Sequence, residues 1–357
     1  MARFECRQCG LVYPESGLVS VCPKCGSLFT LNDLEYQPNL KLNSPGFWAY
    51  QDMLRIGDLP CTYLGEGQTP LVKRDHAYQE FYAKLESLNP SGSFKDRNSA
   101  ITISFLLNRK IKEIVEDSSG NAGASIALYS AGFGIKSTIF IPEGTSGPKV
   151  DQILRIGAQI REVPGEREMA HNAVLDEVQR RDVAYASHAM LPFGLASYAT
   201  IAFEIYEQLG EMPGRVICPI GHGSLFLGIL MGFQAICESI GVQQRPKMIG
   251  VQPERCAPLH AEWKDRNFKQ THISSLAEGT MVSKPARGAE IIEKLNKDYD
   301  DILAIPEDEI LPACHELAAM GIYVEPTSAM VFAALKKSPI THGKTVLVFS
   351  GNGLKYS

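Results

Sequence analysis

The chain has 357 residues and a mass of 39.2 kDa, too long for one small module and suited to two domains of ordinary size. Hydrophobic residues at 45% and charged residues at 21% exclude a disordered chain and fit a soluble globular protein with a sizeable core. A net charge of −5 excludes the basic excess of a general nucleic-acid binder, and the longest apolar stretch, Leu225 to Ile236, contains Gly228 and Gly232 and is too short to span a bilayer.

The chain opens Met-Ala-Arg-Phe-Glu-Cys, without an apolar secretory segment, which predicts a cytoplasmic enzyme. Nine cysteines divide into two populations. Cys61, Cys218, Cys237, Cys256 and Cys314 are scattered and read as reduced, mostly buried thiols. Cys6 and Cys9 form one Cys-x-x-Cys knuckle, and Cys22 and Cys25 form a second. Gly10 and Gly26 follow directly, where a tight turn needs them. Two such knuckles supply the four thiolates of a closed tetrahedral zinc site, which is structural because no coordination position stays open. A redox pair is the alternative, disfavoured by the doubled motif. The segment has neither a basic cluster nor an aromatic stripe, so it is expected to dock on its own enzyme or on a partner subunit.

Gly65-Glu-Gly67 begins a dinucleotide fingerprint, but Pro70 occupies the third glycine position; Gly132-Phe-Gly134 fails likewise at Ser137. Between them, Asn89-Pro-Ser-Gly-Ser-Phe-Lys-Asp-Arg97 runs a Gly/Ser/Pro turn into a helix. Ser93 is the expected N-cap, with Asp96 at the capping-box distance. Lys95 then lies in the first turn, where the helix dipole disfavours its charge and favours the neutral amine that forms Schiff bases. Taken alone, a helical lysine is usually a solvated charge.

From Lys112 onward, short apolar runs alternate with helical patterns. Strands are predicted at Glu113–Glu116, Ser137–Ile141, Gln159–Val163, Val183–Ser187, Arg215–Ile220, Lys247–Val251, Ile302–Ile305 and Thr345–Ser350. A helix over Glu166–Arg181 places Ala170, Ala173, Val174 and Val178 on one face. This alternation predicts an α/β protein with two mainly parallel sheets, the chain crossing between two lobes more than once. Ser118-Ser-Gly-Asn-Ala-Gly-Ala-Ser125 follows the first of these strands and opens a helix, a geometry that converges backbone N–H groups on a carboxylate or phosphate; a simple capped turn is the alternative. Pro219-Ile-Gly-His-Gly-Ser-Leu225 is a second cradle of the same kind, and Ser350-Gly-Asn-Gly-Leu-Lys355 closes the last strand. Arg287, in Pro285-Ala-Arg-Gly288, reads as a solvated charge at a helix start, with a reach into the cleft as the alternative. Gly343-Lys-Thr345 ends like a phosphate-binding loop, but Ser338 stands where its first glycine belongs. A Schiff-base lysine beside two anion cradles points to pyridoxal phosphate (PLP) acting on an amino acid.

These stretches resemble the fold type II, tryptophan-synthase-type PLP enzymes, and among them the threonine synthases. The resemblance covers nearly the whole chain: the zinc-ribbon start, Gly65-Glu-Gly-Gln-Thr-Pro-Leu71, Gly92-Ser-Phe-Lys-Asp-Arg97, Ser119-Gly-Asn121, Pro148-Lys149 to Gly157-Ala158, Glu325-Pro-Thr-Ser-Ala329 and the Ser350–Lys355 ending. It implies that Lys95 links to the cofactor and then shuttles protons, and that Phe94 packs beside it. It implies that Asn121 bonds the cofactor's 3′ oxygen and that Ser118, Ser119, Gly120, Asn121 and Ala122 hold the substrate carboxylate. Gly221, His222, Gly223, Ser224 and Leu225 would hold the cofactor phosphate, and Ser350 would face the pyridine nitrogen. The implied domains are a zinc ribbon (1–33), a large PLP-binding domain (34–98 and 195–357) and a smaller mobile α/β domain (99–194). A homodimer is implied too.

The implied activity is a PLP-dependent lyase converting O-phosphohomoserine to threonine. The sequence departs from that pattern at the substrate. Thr200-Ile-Ala-Phe-Glu204 is recognisable, but Ser187-His-Ala-Met-Leu-Pro-Phe-Gly194 before it has no arginine or asparagine for a phosphate leaving group. Ala122 replaces a hydroxyl, and His222 an asparagine. His188 is then a candidate ligand for a different leaving group. The alternatives are β-elimination or β-replacement on another amino acid, of the serine/threonine ammonia-lyase or cysteine-synthase kind, and an inactive zinc-ribbon scaffold, which the retained Lys95, Asn121 and Ser350 argue against.

Overall fold

The computed structural model describes residues 3–32, 34–38, 44–54, 56–77, 79–269, 274–338 and 342–356, so the expected ribbon (1–33) is described apart from residues 1, 2 and 33. Its elements are, in chain order, β1 (Arg3–Cys6), β2 (Phe29–Asn32), α1 (Gln51–Leu54), β3 (Leu71–Arg74), β4 (Phe81–Lys84), α2 (Lys95–Asn108), β5 (Glu113–Glu116), α3 (Asn121–Gly132), β6 (Lys136–Pro142), α4 (Pro148–Ile156), β7 (Gln159–Val163) and α5 (Arg167–Arg181). Then come β8 (Ala184–Tyr185), α6 (Phe193–Leu209), β9 (Arg215–Pro219), α7 (Ser224–Ile240), β10 (Lys247–Pro253), α8 (Pro258–Trp263), α9 (Gly288–Lys294), β11 (Asp301–Ile305), α10 (Glu307–Ala319), α11 (Pro326–Lys337) and β12 (Thr345–Val348). The chain forms two compact units, one of Met1–Gly67 and Asn89–Ser197 (with Ser357), the other of Gln68–Leu88 and Tyr198–Tyr356. It therefore passes from one to the other after Gly67, Leu88 and Ser197.

In the first unit β1 and β2 pair antiparallel beneath the cysteine knuckles. The ribbon packs on its own unit through aromatic rings. Phe4 lies edge-on to Phe105 of α2 and Phe193 of α6, which stack on each other with centroids 3.9 Å apart. Arg109 covers the Tyr13 ring at 5.2 Å and donates to the Gly17 and Pro14 carbonyls, each at 2.8 Å. A ribbon of this size has too little apolar area for a core of its own and completes one with borrowed rings. The unit's sheet is parallel throughout, in the order β7-β6-β5-β8. Val115, Phe140 and Tyr185 from its strands meet Val174 of α5, and Ala173 and Val178 pack at the margin, the face the periodicity predicts. Glu66 of the failed dinucleotide motif is a buried structural carboxylate. It accepts from Trp48 Nε1, Leu64 N and Tyr129 Oη at 3.0, 2.9 and 2.6 Å.

The second unit holds a six-stranded sheet, β11-β10-β9-β12-β4-β3, parallel except where β3 lies antiparallel to β4 at the edge. Its core joins Ile217, Ile249, Val251 and Leu347 of the strands to the buried face of α11. The apolar stretch from Leu225 becomes α7, buried along most of its length, as a helix greasy on all sides must be. A Cβ at Gly232 would stand 2.4 Å from the Ala199 carbonyl, so this glycine lets α7 close on α6. Lys84 at the end of β4 is wholly buried and donates to Glu204 of α6 at 2.6 Å and to the Thr69 carbonyl at 2.8 Å. No helix among the described residues is long and apolar enough to cross a membrane.

Candidate active site

In the first unit the turn before α2 is set by Gly92, whose φ of +87° suits only glycine and whose N–H reaches the Asn89 carbonyl at 2.8 Å. The expected Ser93 cap is not formed: Phe94 is the residue preceding the helix, and the Ser93 hydroxyl is buried without a hydrogen-bond partner among the described residues. No side chain caps α2; Asp96 instead ties down the preceding turn, its Oδ2 accepting from Ser91 N and its Oδ1 from Ser125 Oγ of α3, both at 2.6 Å. A carboxylate satisfies more donors than a hydroxyl and ties the turn to a second helix. Lys95 therefore begins α2 from an anchored loop, with Nζ 4.6 Å from the centre of the Phe94 ring.

The Ser118–Ala122 loop joins β5 to α3 in the same unit. Gly120 is extended and the first helical turn has no side-chain cap, so its backbone amides face the loop, as an anion cradle requires. A Cβ at Gly123 would fall 1.8 Å from the Ser118 carbonyl, so the close packing of α3 on the loop needs glycine here.

Beside this loop stands a cluster that sequence reasoning caught only at His188. β5 and β8 are parallel neighbours, so Glu116, Asp117 and His188 meet at their carboxyl ends, where open α/β sheets bind ligands. His188 Nδ1 is 2.5 Å from Glu116 Oε1. Asp117 is 3.0 Å from His171 Nδ1 and accepts from Tyr185 Oη at 2.6 Å. Burial pushes the Glu116 carboxyl well above the usual carboxylate range, and the charge of Asp117 adds to this against the pull of Lys95, Arg167 and His188. Burial also acts on Asp117, but its bonds from His171 and Tyr185 outweigh it and hold that group below its ordinary value. The one signal available in the sequence was the pair of acids, Glu116 and Asp117, directly after the apolar Ile114 and Val115 of β5.

The second unit carries the remaining candidates. Gly221–Leu225 links β9 to α7, with Gly223 at φ +101° just before the helix. A Cβ on Gly223 would stand 2.6 Å from Ile291 and 3.1 Å from Arg287 Cβ, so only glycine fits. Ser224 begins α7, and its buried hydroxyl has no hydrogen-bond partner among the described residues. Arg287, expected as a solvated charge, is buried. It donates its N–H to the His222 carbonyl at 2.9 Å and its guanidinium to Glu290 at 3.3 Å, so it buttresses the loop. Ser350 is buried 3.0 Å from Ser328 Oγ, which also accepts from Gly351 N at 2.8 Å. The Glu325–Ala329 motif thus holds the turn that presents Ser350.

Two non-protein groups fit these residues. The Sγ atoms of Cys6, Cys9, Cys22 and Cys25 lie within 4.8 Å of one another, with Cys6–Cys25 at 3.4 Å and Cys9–Cys22 at 3.6 Å. Four thiolates around one zinc stand roughly 3.8 Å apart. A phosphate at the start of α7 would satisfy the orphaned Ser224 hydroxyl and the first-turn amides.

The family described as "Pyridoxal-phosphate dependent enzyme" matches residues 62–351. Threonine synthase of Methanocaldococcus jannaschii is 29% identical over 376 residues, covering 98% of this chain and 92% of that protein. Threonine synthase of Mycobacterium leprae is 30% identical over 320 residues, covering 86% and 87%. Among solved structures, a pyridoxal 5′-phosphate-dependent aspartate racemase superposes with a TM-score of 0.70 at 20% identity, covering 80% of this chain and 90% of that one. A threonine deaminase gives 0.68 at 21% identity, covering 81% and 94%. At those identities the two structures show the shared fold. The chain belongs to the pyridoxal-phosphate dependent enzymes, as a lyase of threonine synthase-like type.

Proposed function

We propose that this enzyme eliminates or replaces the side-chain substituent of a small amino acid, with Lys95 holding the cofactor. The observation that carries this is Lys95 at the start of α2, beside a Gly-rich helix start suited to a carboxylate. When bound, pyridoxal phosphate supplies the sink for electrons released at the amino acid's α-carbon. Phe94 packs beside Lys95, and Asn121 fixes the cofactor ring through its 3′ oxygen. Ser118, Ser119, Gly120 and Ala122 orient the substrate by its carboxylate. Gly221, His222, Gly223, Ser224 and Leu225 hold the phosphate. Ser350 would offer the ring nitrogen a neutral hydroxyl, which would keep the sink mild and suit elimination more than transamination. Lys95 would hold the cofactor and would carry protons at the substrate's α and β carbons.

The relatives' names support threonine formation from O-phosphohomoserine as the reaction. Against a phosphate leaving group stand the Ser187–Gly194 stretch, which lacks arginine and asparagine, and the acids Glu116 and Asp117 beside it. Phosphate release from O-phosphohomoserine by PLP-loaded protein, with Lys95→Ala as the blank, tests it directly. Release abolished by the substitution supports threonine synthesis; a coloured but silent protein excludes it.

The proposal includes a structural zinc on Cys6, Cys9, Cys22 and Cys25, a cytoplasmic homodimer and no nucleic-acid partner. The sulfur geometry supports the metal, and the net charge of −5 supports the last. Metal analysis of the purified protein and its mass in solution test the first two; electrophoretic retardation of DNA or RNA would overturn the third.

A further inference from the structure

The geometry points to Glu116 and His188 as a paired proton donor for the group leaving the substrate's side chain, and hence to a β-hydroxy amino acid as substrate; this rests on the PLP-lyase reading of Lys95. A phosphate departs without help from an acid and asks for cations, whereas a hydroxyl departs only with a proton. What the first unit places beside the carboxylate loop is a proton holder. His188 Nδ1 and Glu116 Oε1, 2.5 Å apart, must have a proton between them, because two bare acceptors would repel. Glu116 Oε2 is buried with no hydrogen-bond partner among the described residues, an arrangement expensive for a carboxylate and far cheaper for a neutral acid.

The charged groups acting on Glu116 are Asp117 on its own strand end, Lys95 on α2 and Arg167 on α5, and the His188 backbone N–H adds a hydrogen bond. Burial and Asp117 both raise Glu116, the direction that favours the protonated acid a leaving-group donor needs. Asp117 is occupied by His171 and Tyr185, which leaves Glu116 as the acid of this pair able to give a proton up.

The step balances as follows. Lys95 takes the Cα proton. The electrons of that bond form the Cα–Cβ double bond as the Cβ–O bond breaks. The electrons of the Cβ–O bond leave on oxygen, which takes a proton from the Glu116–His188 pair and departs as water. The pair is reprotonated through solvent by the proton Lys95 gained. Water then hydrolyses the unsaturated amine to ammonia and a 2-oxo acid, pyruvate from serine or 2-oxobutyrate from threonine.

The test compares leaving groups. PLP-loaded enzyme, Glu116→Gln and His188→Gln are each assayed on L-serine, L-threonine and β-chloro-L-alanine, whose chloride leaves without a proton. The parent is expected to form 2-oxo acid from serine or threonine. Both variants are expected to lower the ratio of kcat on the hydroxy substrate to kcat on β-chloro-L-alanine by about 100-fold or more. Cofactor absorbance and the thermal midpoint show whether each variant is folded, and the second keeps the test open if the first is not. An unchanged ratio in a folded variant overturns the pairing. A coloured parent that releases phosphate from O-phosphohomoserine, but makes no 2-oxo acid from serine or threonine, overturns the hydroxyl assignment and leaves the lyase reading intact. A parent without cofactor colour overturns the reading on which the inference rests.

Discussion

Lys95 and Lys84 show how far one residue type can differ in role within a single chain. Lys95 is half-buried at a helix start, whereas Lys84 is sealed inside the second unit against Glu204. Lys95→Ala is expected to abolish cofactor colour and turnover while leaving the thermal midpoint nearly unchanged, which absorbance and calorimetry will show. Lys84→Ala would strand Glu204 in the interior, at a cost of about 3–5 kcal/mol in denaturant unfolding. The His171–Asp117 pair has a pH signature. Its bond to Asp117 raises His171 above the ordinary imidazole value, with burial working against it. A raised folded value means that the stabilisation is complete below the unfolded value of about 6.5 and fades as pH rises through the folded one. His171→Gln should therefore destabilise the protein near pH 6 more than near pH 9, as paired melts will reveal. Lys95, Asn121 and Ser350 stand out as candidates in the sequence because each sits in a short motif whose residue types have few other uses. Glu116 does not, since an acid closing a strand usually faces water, and its burial depends on His188, 72 residues away.

At the scale of elements, three helix starts carry candidate residues, two in the first unit and one in the second, and each uses its first turn differently. The start of α2 is tied back by Asp96, α3 is left uncapped around the Ser118 loop, and α7 opens on a buried hydroxyl with no partner among the described residues. Ser224→Ala is accordingly expected to leave the cofactor-free protein as stable or slightly more so. It should weaken cofactor binding by about tenfold, the worth of one hydrogen bond to a charged group; a PLP titration measures it. Gly123→Ala would drive a methyl group into the Ser118 carbonyl and should raise KM for any amino-acid substrate by displacing the loop. The central strands β9 and β12 were readable because Arg215–Pro219 and Thr345–Val348 are largely apolar on both faces, as buried strands are. β3 and β4 were not: Leu71–Arg74 and Phe81–Lys84 are four residues each and mix charge with apolar side chains. Their pairing is settled by neighbours in the sheet. The predicted strand at Val183–Ser187 contracts to Ala184–Tyr185, because β8 is an edge that meets β5 over two residue pairs.

For the molecule as a whole, composition and motif order disclosed an α/β enzyme with a ribbon, and the structure adds what joins the ribbon to the rest. That junction is aromatic, and it reaches α2, the helix that begins with Lys95. Metal removal should therefore act beyond the ribbon. Chelation, or Cys9→Ser, is expected to lower the melting temperature by several degrees, as loss of about 1–2 kcal/mol does in domains of this size. A fall in cofactor occupancy should accompany it. Unchanged melting after proven metal loss would show that the rings alone hold the ribbon. The docking partner was not readable beforehand, because Phe105 and Phe193 look like ordinary core residues of their own helices.

The chain contains two tryptophans, and the fold deals one to each unit: Trp48, hydrogen-bonded to Glu66, and Trp263, ending α8. Both are buried. Intrinsic fluorescence is thereby divided between the halves of the molecule. A Trp48→Phe chain emits from the second unit and a Trp263→Phe chain from the first, so the pair would time the folding of each half without any added dye.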